Sequence, residues 1–160
     1  MNLIEPPEGI RLTQLSAEKI KYLWNKLKVY DKVFEKGRIG DFDAFRNMLC
    51  REDTLVLEMD GGLVILDNII DGLRASCHAY FWENKIHALR PLMKDLILYG
   101  FFQFDLKRME CRVPFYARSV MRFLEKLGFK QEGRLRNAWE GKDGVLIDVL
   151  VYGILKEEVL

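Results

Sequence analysis

Residues 54 to 82 constrain the fold more than any other part of the chain. TLVLEM and LVILDNII are short β-branched and leucine-rich runs separated by Asp60-Gly61-Gly62, and Asp71-Gly72 then leads into LRASCHAYFW. Glycine turns this tight join antiparallel neighbours, so the sequence predicts three consecutive hairpin-linked strands. Alternation along the third run sets Ala75, Cys77, Ala79 and Phe81 on one face, with Ser76, His78, Tyr80 and Trp82 on the other.

Helical signals flank this core of strands. Residues 9 to 14 suit a short strand, and Ser16 stands where an N-cap accepts a first-turn amide. Ile20, Leu23, Trp24 and Leu27 then follow the i, i+3, i+4, i+7 spacing of one buried helix face. Asp41 caps a second helix carrying Phe42, Phe45, Met48 and Leu49. Pro91 fits the first turn of a long helix whose apolar face runs from Leu92 and Met93 to Phe101 and Phe104, and MECRV follows as a strand. In the next helix Val120, Phe123, Leu124 and Leu127 share a face, and Gly128 is placed for the left-handed C-terminal conformation. GRLRNAW and VLIDVLVYGIL, joined around Lys142-Asp143-Gly144, form a terminal hairpin, in which Asp148 interrupts an apolar run and requires a partner.

Composition narrows the classes. A chain of 160 residues with 49% hydrophobic content is expected to form a single domain over residues 1–160. Lys and Arg total 25 against 24 Asp and Glu, so no long-range field gathers nucleic acid or an anionic membrane. Cys50, Cys77 and Cys111 lack the paired spacing of a zinc site and point to reduced thiols in a cytoplasmic protein with no metal. MNLIEPPEG lacks a signal-peptide pattern, and no apolar run approaches the ~20 residues of a membrane span, so a soluble protein is expected. The apolar C-terminal hairpin either completes its own sheet or pairs across a two-fold axis in a homodimer.

The order is strand, two helices, three strands, helix, strand, helix, two strands. With Tyr99-Gly100-Phe101, Leu106-Lys107-Arg108-Met109, Leu124-Glu125-Lys126-Leu127-Gly128-Phe129, Glu132-Gly133-Arg134-Leu135-Arg136, Asp148 and Val151-Tyr152 in register, the chain resembles the GNAT superfamily of acetyl-coenzyme A dependent N-acetyltransferases. The resemblance is closest to the ribosomal-protein acetyltransferase-like branch. It implies an α/β (α+β) fold: a mixed, mostly antiparallel sheet of about seven strands, splayed after the fourth and flanked by about four helices.

In that family the pantetheine arm of acetyl-CoA lies in the splay like an added strand, and its pyrophosphate sits at the start of the central helix. The resemblance therefore implies cofactor contacts at Tyr80, Phe81 and Trp82, along the turn Lys85, Ile86, His87, Ala88, Leu89 and Arg90, and at Arg118. Where the family places a glycine-rich Q/R-x-x-G-x-G/A turn, residues 82 to 90 contain no glycine, so Lys85, His87 and Arg90 are expected to meet the phosphates with side chains.

His78, on the strand that supplies the family's oxyanion amide, is the first candidate for general base, and Glu58 is a weaker, solvated alternative. Ala117 and Leu124 occupy positions where family members carry an asparagine and a proton-donating tyrosine, which leaves Tyr116 and Ser119 as catalytic substitutes. Glu58, Arg134, Arg136 and Asn137 are assigned to the acceptor side, the two arginines favouring a carboxylate or an acidic peptide. The function implied is acetyl transfer from acetyl-CoA to a primary amine, on a protein N-terminus or a small molecule, by direct attack. The alternative is a GNAT-fold binding or assembly module that has lost turnover.

Overall fold

The structure is a computed structural model that describes residues 3–28, 41–82, 89–141 and 144–159. Its elements run β1 (Ile10–Leu12), α1 (Ala17–Leu27), α2 (Phe42–Leu49), β2 (Leu55–Met59), β3 (Gly62–Ile70), β4 (Arg74–Phe81), α3 (Arg90–Gln103), β5 (Arg108–Pro114), α4 (Arg118–Leu127), β6 (Lys130–Glu140) and β7 (Leu146–Leu155). This is the order read from the sequence. β1 is shorter than residues 9 to 14, because the chain leaves the sheet early to let Ser16 cap α1 through the Lys19 amide. Asp41 caps α2 in the same way, accepting from the Ala44 amide.

One seven-stranded sheet, ordered β1-β2-β3-β4-β5-β7-β6, forms the centre. Every neighbouring pair is antiparallel except β4 with β5, which lie parallel because α3 carries the chain between them. α1 and α2 cover one face, packing Leu23, Leu27, Phe45 and Leu49 onto Val56, Leu63 and Ile65. α3 and α4 cover the other, where Leu96, Ile97, Phe123 and Leu127 meet Leu66, Cys77, Met109 and Tyr152. α3 approaches the sheet so closely that a methyl group at Gly100 would collide with Met109.

α4 ends as its sequence predicts. Gly128 takes φ 102°, the Phe129 amide donates to the Leu124 carbonyl and the Gly128 amide to Glu125, which together close the helix with a left-handed cap. Val120 differs from expectation: it is 37% exposed, because the first turn of α4 overhangs a cavity instead of the core.

A candidate active site in the gap between β4 and β5

β4 and β5 pair at Arg74↔Arg108, Ala75↔Met109 and Ser76↔Glu110, and the register stops there. Beyond that point each strand follows its other neighbour: β4 stays with β3 as far as Gly62↔Phe81, and β5 stays with β7 as far as Pro114↔Val149. The two halves of the sheet therefore diverge. The Leu73 carbonyl accepts from Lys107 on the β5 side, whereas the Trp82 amide donates to Gly61 on the β3 side. Since peptide groups alternate in direction along a strand, the main-chain N–H and C=O of Ala79 and Phe81 point into the gap, beyond the last β5 partner. Ala79, placed by alternation beside buried Ala75 and Cys77, is exposed for the same reason.

On the α3 and α4 side the gap opens into a cavity of about 450 Å³. Its walls are largely apolar, with Phe81 and Phe123 in an edge-to-face contact at 6.3 Å and Met93 and Ile97 from α3 behind them. His78, Tyr80, Phe81, Tyr116 and Ser119 all line it, so the structure brings these candidates together. Trp82 packs instead against the α1 and α2 cluster, Leu89 packs on the core beneath α3, and Arg90 and Arg118 are exposed at the first residues of their helices. Lys85, Ile86, His87 and Ala88 lie outside the described residues.

Both helices bordering this cavity begin without a side-chain cap: Leu89 precedes α3 and Ala117 precedes α4, and neither first turn carries an acidic residue. α1 and α2, remote from the gap, are capped by Ser16 and Asp41. Among the described residues no side chain accepts from the first amides of α3, and a helix start of this kind favours an anion. Cys77 and Cys111 sit deep between the strands; the neighbouring Cys77 thiol and burial push the Cys111 thiol well up, so it stays protonated and is a poor nucleophile.

The opposite face of the sheet holds a second, polar cavity of about 300 Å³, lined by Asn68, Arg74, Ser76, His78, Glu110 and Arg112. Behind it stands Asp67, 1% exposed, with its Oδ1 3.0 Å from His78 Nε2. A carboxylate at that distance accepts the Nε2 proton and leaves Nδ1 as the basic nitrogen of the ring. A register shift between Asp67 and Ile70, with Asn68 at φ 50°, turns the end of β3 around this pair and puts Asn68 on the cavity rim. His78 and Arg112 line both cavities, one from each side of the gap.

Other residues assigned to the acceptor side have structural partners. Glu58, expected to be solvated, is only 13% exposed and bonds Lys19 Nζ at 2.6 Å, because α1 crosses directly over β2. Arg134 Nε donates to Asp148 Oδ2 at 2.6 Å, and the Asn137 amide, at φ 52°, donates to Asp148 Oδ1 at 2.8 Å. The partner demanded by Asp148 is therefore the strand opposite, and the Arg134 guanidinium is committed to it. Arg136 is exposed. Asp67, Arg74, Glu110 and Arg112 were missed as site residues; for Asp67 the signal was present as a carboxylate closing the apolar run LVILD.

The crystal structure of the spermidine N-acetyltransferase from Vibrio cholerae in complex with CoA and spermine superimposes with a TM-score of 0.76 at 19% identity, over 96% of this chain and 99% of that one. A probable acetyltransferase superimposes with a TM-score of 0.71 at 19% identity, over 97% of each chain. The fold is that of the GNAT N-acetyltransferases. In sequence, an uncharacterized N-acetyltransferase p20 of Bacillus licheniformis is 38% identical over 66 residues, which make up 41% of this chain and 36% of that protein's length. No family model matches the chain. Among the described residues no helix is long and apolar enough to cross a membrane, and no cluster of three or more His, Cys, Asp or Glu is arranged to hold a metal ion.

Proposed function

We propose that the chain is an N-acetyltransferase that passes an acetyl group from acetyl-CoA to a primary amine. The observation that carries this reading is the gap: an apolar cavity on one side, a polar cavity on the other, and His78 backed by Asp67 where the two meet. Acetyl-CoA supplies an acetyl group activated as a thioester. The main-chain groups of Ala79 and Phe81 fit the amides of its pantetheine arm as an added strand would, and the uncapped start of α3 suits its diphosphate.

The amine enters from the polar cavity. His78 Nδ1 takes its proton, while Asp67 holds the tautomer and stabilises the imidazolium that forms. A main-chain N–H of β4 aimed into the gap, with Ala79 the best placed, donates to the oxygen on which negative charge develops. The Cys111 thiol stays protonated, which favours direct attack over an acetyl-cysteine intermediate there. Tyr116 and Ser119, on the far wall of the apolar cavity, are the hydroxyl groups positioned to return a proton to the departing thiolate. The spermine bound by the Vibrio cholerae enzyme supports an amine as acceptor class.

The test is thiol release from acetyl-CoA across a panel of primary amines. General-base catalysis is worth roughly 10²–10⁴-fold, so His78→Gln is expected to lower kcat at least about a hundredfold while leaving calorimetric acetyl-CoA affinity unchanged. Acetyl-CoA binding with no transfer to any amine would leave a binding module and overturn the reading.

A further inference from the structure

The polar cavity carries a charge asymmetry that bears on the acceptor. Its carboxylates are already committed: Glu110 contacts Arg108 at 3.4 Å, and Asp67 holds His78 at 3.0 Å. Its arginines are not. The side chains of Arg74 and Arg112, both exposed, make no hydrogen bond or ion pair among the described residues, whereas Arg108, on the same face of β5, is paired with Glu110 and Glu132. Two guanidinium groups thus face one small cavity with their donors unmatched, one from each strand bordering the gap.

Resting on the transferase reading above, we propose that the acceptor is a small primary amine that also carries an anionic group, a carboxylate or a phosphate, recognised by Arg112 and Arg74. Arginine meets such a group through two parallel N–H donors. Arg112 lines both cavities together with His78, and Arg74 stands at the exposed end of the polar cavity, where β4 and β5 are still paired. An anion drawn between them presents its amine toward His78. A volume of about 300 Å³ suits a molecule the size of an amino acid. A polyamine meets two unpaired positive charges in the same place and is disfavoured by like-charge repulsion.

The experiment compares amines that differ only in the anion: an α-amino acid against its amide, aminoethyl phosphate against ethanolamine, and spermidine as the polycation. The expected result is a kcat/KM at least about tenfold higher for the anionic member of one pair, the value of a single charge-assisted contact. The better pair tells carboxylate from phosphate. Arg112→Ala and Arg74→Ala are each expected to raise KM for the anionic amine about tenfold or more, with acetyl-CoA affinity unchanged in Arg74→Ala, since Arg74 lines only the polar cavity, and partial recovery in Arg112→Lys. Equal or faster acetylation of the neutral partners or of spermidine overturns the anion site and leaves the transferase intact. If no amine is acetylated, calorimetry of the anionic amines alone decides: binding lost in both arginine variants keeps the anion site without the transferase, and no binding removes both.

Discussion

Asp67→Asn isolates the chemical role of the buried carboxylate from its structural one. The side chain keeps its shape in a site that is 1% exposed, so no cavity is created, and the amide oxygen can still accept from His78 Nε2. What disappears is the charge. A hydrogen bond to a charged group is worth about 1.5–3 kcal/mol and a neutral one about 1 kcal/mol, so the expected loss is about 1 kcal/mol, or roughly 2–4 °C in Tm for a chain of this size. Asp67→Ala is less informative, because it opens a cavity and leaves the imidazole N–H without its partner, a loss that costs about 1–3 kcal/mol for a buried polar group.

Catalysis is predicted to suffer far more than stability. An asparagine can turn its NH2 toward Nε2 and stabilise the opposite tautomer, which places the proton on Nδ1 and removes the base. It also cannot stabilise the imidazolium. Thiol release at saturating acetyl-CoA is expected to fall by about 10²-fold or more in kcat, within the range of general-base catalysis. Melting followed by circular dichroism supplies the control. A kcat within about twofold of the unmodified chain, alongside the small Tm change, would refute the assignment of His78 and Asp67 as the proton-accepting pair.

Further predictions concern the frame around the site. The Asn137 amide and the Arg134 guanidinium hold the Asp148 carboxyl below the ordinary aspartate value of 3.8. A depressed value stabilises the folded chain above the ordinary one and is lost as pH falls through it, so urea midpoints should drop more between pH 7 and about 3 in the unmodified chain than in Asp148→Asn. A Cβ at Gly62 would lie 2.7 Å from the Phe81 ring and 3.2 Å from the Tyr80 carbonyl, so Gly62→Val is expected to cost about 1–3 kcal/mol in chemical denaturation. A thiol reagent should titrate Cys50 rapidly in the native protein and reach Cys77 and Cys111 only in denaturant, both being buried; rapid native reaction of all three would contradict the packing of the gap.

The elements were legible because each is announced locally. Ser16 and Asp41 mark helix starts, Pro91 marks a first turn, Gly128 a helix end, and the glycine turns separate the strands. The gap itself is not local. It depends on where the parallel register between β4 and β5 stops, and those strands are joined only through α3, so nothing in either strand states it. The resemblance supplied that expectation.

Asp67 could have been found. A carboxylate behind LVIL needs a partner even more than Asp148 does, and His78 lies on the facing strand of the same hairpin. The register shift between Asp67 and Ile70 conceals the pairing from a count taken outward from the turn. Arg74 and Arg112 carry no such signal, since an arginine on a strand is ordinarily a solvated charge, and only the folded sheet brings the two to one cavity. Arg134 misled in the opposite sense: an arginine beside an expected pocket is here the counter-ion of Asp148.

In the proposed mechanism acetyl-CoA lies in the gap against the free edge of β4. Ala79 is exposed there, so Ala79→Trp fills the space without disturbing the core. Calorimetric titration of acetyl-CoA into both proteins tests this directly. Saturable binding to the unmodified chain, abolished in Ala79→Trp at an unchanged Tm, is the expected result; equal affinity in the two proteins, or no heat from the unmodified chain at millimolar acetyl-CoA, would rule out binding in the gap.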